Sequence, residues 1–76
     1  VDLEVGSLAG FGQTVEAARR ARCLVIGSFH DFSGTPSAAR LRSTARRAFA
    51  GGADLVKVAT VTNTPGDVAT LLGFLE

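Results

Sequence analysis

Three short apolar segments alternate with three helix-forming segments along the 76 residues of this chain. The apolar segments, 1–5, 23–29 and 54–61, have the length of strands. The helix-forming segments, 14–22, 36–50 and 65–75, are rich in helix formers or carry apolar residues at helical spacing. Strands that alternate with helices are typical of parallel sheets. The order βαβαβα therefore predicts an α/β fold in which right-handed crossovers join parallel strands.

Local signals mark where the predicted helices begin and end. Thr14 is an expected N-cap for the first helix, with Glu16 in its first turn. Thr35-Pro36 and Thr64-Pro65 each place a capping threonine before a proline at the first helical position, where the missing N–H costs nothing. Gly51-Gly52 predicts the end of the second helix. Val68, Leu71, Leu72 and Leu75 mark one face of the third predicted helix.

The length of the chain limits how such a sheet can be stabilised. A chain this short buries only about 60% of the surface that its unfolded form exposes, and three parallel strands leave two open edges. A (β/α)8 barrel has about 250 residues, of which three βα units make roughly three eighths. We therefore expect residues 1–76 to be part of a (β/α)8 barrel domain, about three of its eight units. The chain has no methionine and opens on a predicted strand, which favours a piece of a longer polypeptide.

Charge and cysteine content exclude several classes of function. A net charge of +1 provides no field that would hold nucleic acid or an anionic membrane, and the longest apolar run, 23–26, is far too short to span a bilayer. Cys23 is the only cysteine and His30 the only histidine, which argues against a disulfide and against a zinc site. No glycine motif for nucleotide binding is present. We predict a protein of a reducing compartment such as the cytoplasm, without nucleic-acid or membrane partners.

Lys57 is the only lysine and lies in the middle of the third predicted strand. Alternation places Leu55, Lys57 and Ala59 on one face of that strand. Its β-branched neighbours indicate burial, and a buried lysine favours the neutral amine because the charged form loses its water. A neutral amine can attack a ketone to form a Schiff base. Two interpretations stay open: an imine-forming lysine, or a lysine paired with a carboxylate purely for structure.

His30 lies at the carboxyl end of the second predicted strand, where parallel α/β folds build active sites. Histidine titrates near neutral pH and can act as general base and general acid, although a solvated or structural histidine is the alternative. Ser28 lies on the same face, and nothing in the sequence marks it as an activated nucleophile. Asp2 and Glu4, if turned inward, would balance the charge of Lys57 or help to hold the base. Their alternative is an exposed acidic face on an edge strand.

Two motifs of this chain resemble those of type I 3-dehydroquinate dehydratases. Ser28-Phe-His-Asp-Phe-Ser-Gly-Thr-Pro36 is similar to the S-x-H-D-F-x-x-T-P stretch of that family, and Gly52-Ala-Asp-Leu-Val-Lys-Val-Ala59 is similar to its G-A-D-[IL]-x-K-[IVL]-A strand. Val1-Asp-Leu-Glu4 resembles its D-[IVL]-E strand, and Asp67-Val with Leu71-Leu72 resembles the following helix. The resemblance covers nearly the whole chain in order and spacing, and each of the two motifs holds the only residue of its kind.

The resemblance implies a (β/α)8 barrel in which the three strands are the fourth, fifth and sixth. It implies that Lys57 forms the Schiff base with the substrate ketone and that His30 is the general acid and base. The implied reaction is the dehydration of 3-dehydroquinate to 3-dehydroshikimate, the third step of the shikimate pathway of aromatic amino-acid biosynthesis. No metal or redox cofactor is implied, and the complete enzyme is expected to be a homodimer.

Much of the family's site has no matching segment here. The glutamate that orients the histidine, the arginines that bind the substrate carboxylate, and the serine and glutamine of the last loop belong to strands one to three, seven and eight. Phe29 stands where the family often has Tyr or Asn, and residues 60–63 differ from a common Val-Met-Pro variant. An isolated segment is expected to be inactive or nearly so, because positioning groups supply a large share of the rate.

Two alternatives to this enzyme remain from the sequence. The first is another Schiff-base-forming barrel of the aldolase type, which the H-D-F-x-x-T-P stretch argues against. The second is a noncatalytic module that keeps a segment of a barrel as a scaffold. The presence or absence of the remaining strands in a longer parent polypeptide would distinguish this scaffold from the enzyme.

Overall fold

The computed structural model describes residues 1–75, and within them the predicted order of strands and helices is confirmed. A 3₁₀-helix is added after the first strand. The elements are, in chain order, β1 (Asp2–Glu4), the 3₁₀-helix (Val5–Phe11), α1 (Gly12–Arg20), β2 (Ile26–Asp31), α2 (Ala38–Ala50), β3 (Leu55–Thr60) and α3 (Pro65–Phe74).

The three strands form a parallel sheet in the order β1-β2-β3. In register, Ser28 of β2 lies beside Glu4 of β1 on one side and beside Lys57 of β3 on the other. His30 lies beside Ala59. Because side chains alternate along a strand, one face of the sheet carries most of the polar residues. We call it the polar face, and it carries Asp2, Glu4, Ser28, His30 and Lys57.

The opposite face of the sheet packs against the helices. The buried cluster consists of Val5, Leu8, Val15, Ala18, Val25, Ala48 and Ala53, with Leu3, Phe29 and Val56 packed against it. Gly27 of β2 allows α2 to lie close to the sheet. A Cβ atom at Gly27 would lie 3.0 Å from the Cβ of Ala48 and 3.2 Å from that of Ala53, which is tighter than ordinary contact. The close packing of α2 on β2 therefore depends on a residue without a side chain.

Two of the predicted helix starts are wrong. Thr14 lies inside α1 rather than at its N-cap, because the 3₁₀-helix leads directly into α1 and the chain is already helical at that point. The N-cap of α2 is Ser37, whose Oγ accepts a hydrogen bond from the Arg40 N–H at 3.2 Å. The Thr35 hydroxyl is used elsewhere, since it lies 3.2 Å from Oγ1 of Thr60 at the end of β3.

The start of α3 and the end of α2 are as predicted. Oγ1 of Thr64 accepts a hydrogen bond from the Asp67 N–H at 3.1 Å, and the Asp67 carboxylate accepts one from the Thr64 N–H at 3.3 Å. These reciprocal bonds form a capping box before the proline at the first helical position. Gly51 follows the last residue of α2. Gly52 has a φ of 103°, and a Cβ atom there would lie 2.8 Å from Cγ1 of Val15.

The strands are shorter or shifted relative to the prediction. β1 ends before Val5, where the 3₁₀-helix begins. β2 was expected over 23–29, but it begins three residues later and runs past His30. The backbone N–H of Val25 donates to the carboxylate of Asp54 at 2.8 Å and not to a neighbouring strand, so regular pairing starts after it. β3 is one residue shorter at each end than the expected 54–61.

The apolar face of α3 is left uncovered within residues 1–75. No residue of α3 is buried within this part of the chain. Val68 and Leu72 are 45% and 59% exposed, and Leu75, which follows α3, is 78% exposed. β3 is the edge of the sheet, so no further βα unit among the described residues covers these side chains.

Candidate active site

The polar face holds two pairs of oppositely charged or ionisable side chains. Nδ1 of His30 lies 2.7 Å from Oε1 of Glu4. Nζ of Lys57 lies 3.8 Å from Oδ2 of Asp2. Ser28 lies between them, and its hydroxyl donates a hydrogen bond to Oδ1 of Asp2 at 2.5 Å. The structure therefore brings together the five residues that sequence analysis singled out.

The His30–Glu4 pair lies at the carboxyl edge of the sheet. Glu4 is the last residue of β1, and His30 is the next-to-last residue of β2. The histidine side chain is 30% exposed and the glutamate side chain 56%. An ionised carboxylate only accepts hydrogen bonds, so Nδ1 carries the proton in this pair. When the ring is neutral, Nε2 is then the nitrogen that can accept a proton from a substrate.

The side chain of Lys57 is not buried, contrary to the expectation from its neighbours. It is 56% exposed within the described residues. The β-branched neighbours Val56 and Val58 are on the opposite face of β3, toward the helices, while Lys57 extends from the open polar face. Asp2 balances its charge at 3.8 Å, a distance longer than a hydrogen bond. An accessible, loosely paired amine of this kind can reach a carbonyl group.

Asp31 organises the turn that follows His30. Its Oδ1 accepts hydrogen bonds from the Ser33 hydroxyl at 2.7 Å, from the Ser33 N–H at 2.9 Å and from the Gly34 N–H at 3.2 Å. These bonds, above all that from the Ser33 side chain, lower the pKa of Asp31. The turn places the ring of Phe32 in a stack with His30, with the ring centroids 6.0 Å apart. Sequence reasoning assigned no role to Asp31 or Phe32, although both belong to the H-D-F motif.

An open pocket of about 520 Å³ lies beside the carboxyl ends of β1 and β2. Glu4 and His30 line it from the sheet, and Arg40 and Arg47 line it from α2. Lys57 does not line this pocket and is reached from the polar face directly.

Within residues 1–75, no three His, Cys, Asp or Glu side chains are grouped so that they could hold a metal ion. None of the helices in the same residues is long and apolar enough to cross a membrane. Cys23 is exposed as a free thiol.

Consecutive parallel βα units with ionisable side chains at one face and at the carboxyl edge of the sheet fit a segment of a (β/α)8-barrel protein. Residues 1–76 match the family model described as type I 3-dehydroquinase. The chain belongs to this family. Membership separates it from the aldolase-type barrels that the sequence left as an alternative.

Two curated relatives have the same name and cover different parts of the chain. The 3-dehydroquinate dehydratase of Haloarcula marismortui is 37% identical over 78 residues, which cover 96% of this chain and 34% of that protein. The 3-dehydroquinate dehydratase of Thermodesulfovibrio yellowstonii is 42% identical over 50 residues, which cover 66% of this chain and 22% of that protein. The chain thus spans between 22% and 34% of the length of these relatives.

Solved structures of two similar proteins agree with the fold described above. The 3-dehydroquinate dehydratase of Geobacillus kaustophilus superposes with a TM-score of 0.91 and 31% identity, covering 97% of this chain and 29% of that chain. The second is the type I 3-dehydroquinate dehydratase of Clostridium difficile, in a structure with covalently modified comenic acid. It superposes with a TM-score of 0.89 and 32% identity, covering 96% of this chain and 29% of that chain. The predicted fold class, a βαβαβα segment of a (β/α)8 barrel, is confirmed.

Proposed function

We propose that this chain supplies the lysine and the histidine of a type I 3-dehydroquinate dehydratase, which converts 3-dehydroquinate to 3-dehydroshikimate through a Schiff base. The observation that carries the proposal is that Lys57 and His30 lie on the same face of adjacent strands, each with its own carboxylate. Membership of the type I 3-dehydroquinase family supports it.

The register of β2 and β3 sets the distance between the two groups. Lys57 lies beside Ser28, and His30 is two residues further toward the carboxyl edge. With strands about 4.8 Å apart and a rise of about 3.3 Å per residue, the Cα atoms of Lys57 and His30 are roughly 8 Å apart. Both side chains are long enough to meet one small substrate between them. The amine can bond to a ketone carbon while the imidazole reaches the adjacent carbon.

The reaction follows from these two side chains. The neutral amine of Lys57 attacks the substrate ketone to give a carbinolamine, which takes up one proton and loses water to form a protonated imine. The imine withdraws electrons from the adjacent methylene, and Nε2 of His30 removes a proton from it. The electron pair of the resulting enamine expels the neighbouring hydroxyl, which takes the proton from His30 and leaves as water. Hydrolysis of the protonated imine uses one water and releases the enone product, the amine of Lys57 and the proton taken up earlier, so one water is lost overall.

Glu4 and Asp2 act as positioning residues in this proposal, and Glu4 pairs with His30 although the family resemblance places the histidine-orienting glutamate outside this chain. Glu4 holds Nδ1 of His30 at 2.7 Å, which leaves Nε2 as the nitrogen for proton transfer and stabilises the charged ring after abstraction. Asp2 balances the charge of Lys57 before the amine loses its proton. Neither carboxylate forms a bond to the substrate.

The same proposal extends to the complete enzyme. Residues 1–76 would form about three of the eight units of its barrel, the fourth to the sixth, and other units would bind the substrate carboxylate. The enzyme would be a cytoplasmic homodimer in the shikimate pathway of aromatic amino-acid biosynthesis. The 76 residues alone are expected to turn over substrate slowly or not at all, because they lack those binding groups.

Steady-state dehydration by the longest natural polypeptide that contains this sequence tests the proposal. The conjugated product can be followed by its ultraviolet absorbance. We expect Lys57→Ala to abolish turnover and His30→Ala to lower kcat on the order of 10²- to 10⁴-fold. Arg46→Ala, on the exposed side of α2, is the control that retains activity. Normal turnover by Lys57→Ala contradicts the proposal, and a folded but inactive wild type favours the noncatalytic scaffold.

A further inference from the structure

Ser28 is a buried polar residue at the centre of the polar face. It is 2% exposed, although its face of the sheet is open. Its Oγ lies 2.5 Å from Oδ1 of Asp2 and 3.4 Å from the backbone oxygen of Leu3. A hydroxyl has one proton to donate, and the much shorter distance assigns that proton to Asp2.

The Asp2–Lys57 pair passes over Ser28. β1 and β3 both pair with β2 and not with each other, so their axes are roughly 10 Å apart. The small side chain at Ser28 leaves room for Asp2 and Lys57 to approach each other above it. Its hydroxyl donates a hydrogen bond to Oδ1 of Asp2, while Oδ2 of Asp2 lies 3.8 Å from Nζ of Lys57. The serine and the lysine therefore contact different oxygens of the same carboxylate.

Other charged groups on the polar face are already engaged. The groups that face Lys57 are Asp2 and Glu4 from β1 and His30 from β2. Glu4 and His30 bond to each other at 2.7 Å. Removal of the Ser28 hydroxyl would thus change the carboxylate next to Lys57 and leave the histidine pair in place.

We propose that Ser28 is a positioning residue that restrains Asp2, so that Asp2 balances the charge of Lys57 without a direct hydrogen bond that would hold the amine in its charged form. The catalytic meaning of this inference rests on the proposed function. The coupling among Ser28, Asp2 and Lys57 is measurable without turnover. A carboxylate that accepts a hydrogen bond from a hydroxyl also attracts a nearby ammonium less strongly. This weaker attraction likewise favours the neutral amine of Lys57.

A pH titration of the ¹³Cε resonance of Lys57 tests the coupling in the longest natural polypeptide, with the resonance assigned by its loss in Lys57→Arg. In Ser28→Ala the released Asp2 carboxylate can bond to the ammonium directly, so we expect the titration midpoint to rise by about 0.5 to 1 pH unit. Ser7→Ala, at an exposed serine of the 3₁₀-helix, should leave the midpoint unchanged. An unchanged or lowered midpoint in Ser28→Ala would overturn the inference.

A double-variant cycle separates positioning of Asp2 from a general structural role of Ser28. In the Asp2→Asn background, Ser28→Ala should add no further shift, because the carboxylate that the serine restrains is gone. An upward shift of the same size in that background would mean that Ser28 acts on Lys57 by another route, and the inference would be wrong.

Reductive trapping across pH distinguishes this inference from the proposed function. In Ser28→Ala we expect the pH of half-maximal adduct formation on Lys57 to rise with the titration midpoint, and trapping at neutral pH to slow about 3- to 10-fold. If wild type forms the adduct and the pH dependence of adduct formation is unchanged in Ser28→Ala, the inference about Ser28 is rejected and the proposed function is retained. If wild type gives no adduct while Ser28→Ala still raises the titration midpoint, the Schiff-base function is rejected and the coupling is retained.

Discussion

Oε1 of Glu4 lies 2.7 Å from Nδ1 of His30, so the last residue of β1 determines which nitrogen of the ring on β2 carries the proton. The two residues are 26 positions apart in the sequence, and the parallel pairing of β1 with β2 brings them together. The proton on Nδ1 leaves Nε2 as the basic nitrogen in the neutral ring. One contact between strands thereby prepares the proposed general base.

Glu4→Gln should lower kcat about tenfold or more and change KM little, because the effect is on proton transfer rather than on substrate binding. The glutamine amide can donate to Nδ1, which favours the tautomer with its proton on Nε2. The ¹⁵N chemical shifts of His30 report the tautomer alongside the kinetics. Glu16→Gln, at an exposed residue of α1 paired only with Arg20, is the matched control. Wild-type kcat together with an unchanged tautomer in Glu4→Gln would show that Glu4 does not orient the ring.

The hydrogen bonds that Asp31 accepts in the turn after β2 should be lost at acid pH. Hydrogen bonds from Ser33 and Gly34 lower the pKa of Asp31, so the native state binds this proton less readily than the unfolded state. The contribution of Asp31 to stability is present above the unfolded pKa and is lost as the pH falls through the lower, folded pKa. We expect the backbone amide resonances of Ser33 and Gly34 to shift together only below about pH 4.

Asp31→Asn provides the comparison for this pH dependence. The amide of asparagine does not titrate, so the acid-dependent shifts of the Ser33 and Gly34 resonances should disappear in the variant. Identical acid titrations in wild type and Asp31→Asn would refute the assignment of these shifts to Asp31.

Gly27→Ala should destabilise the fold by about 1 to 3 kcal/mol, because the added methyl group is forced against α2. The new Cβ would lie 3.0 Å from the Cβ of Ala48. Urea denaturation of the longest natural polypeptide measures the change in the free energy of unfolding. Gly10→Ala is the control, since no atom lies within 4 Å of the Cβ position there. Equal stabilities of the two variants would contradict the close packing described for Gly27.

The order and direction of the strands could be predicted from the sequence because the apolar segments and the helix signals are local. The residue at which α2 starts could not be predicted from the sequence. Thr35 and Ser37 are both good N-cap residues, and the choice between them is made by the contact of Thr35 with Thr60, 25 residues away. The 3₁₀-helix was also missed, because the glycines after β1 signal only the end of a strand.

The sequence could predict which residues share the polar face of the sheet but not the contacts among them. Alternation along the strands placed Lys57 and His30 correctly at positions on the sheet, yet it could not establish which carboxylate meets which partner. That pairing depends on the register of three strands. The exposure of Lys57 was missed because its β-branched neighbours point to the opposite face and so provide no information about its own side.

Borohydride trapping with 3-dehydroquinate, followed by peptide mass analysis of the longest natural polypeptide that contains this sequence, is the direct test of the Schiff base on Lys57. We expect a reduced substrate adduct on Lys57 in the wild type and none in Lys57→Arg. A folded wild-type protein that gives no adduct on Lys57 would contradict the Schiff-base mechanism.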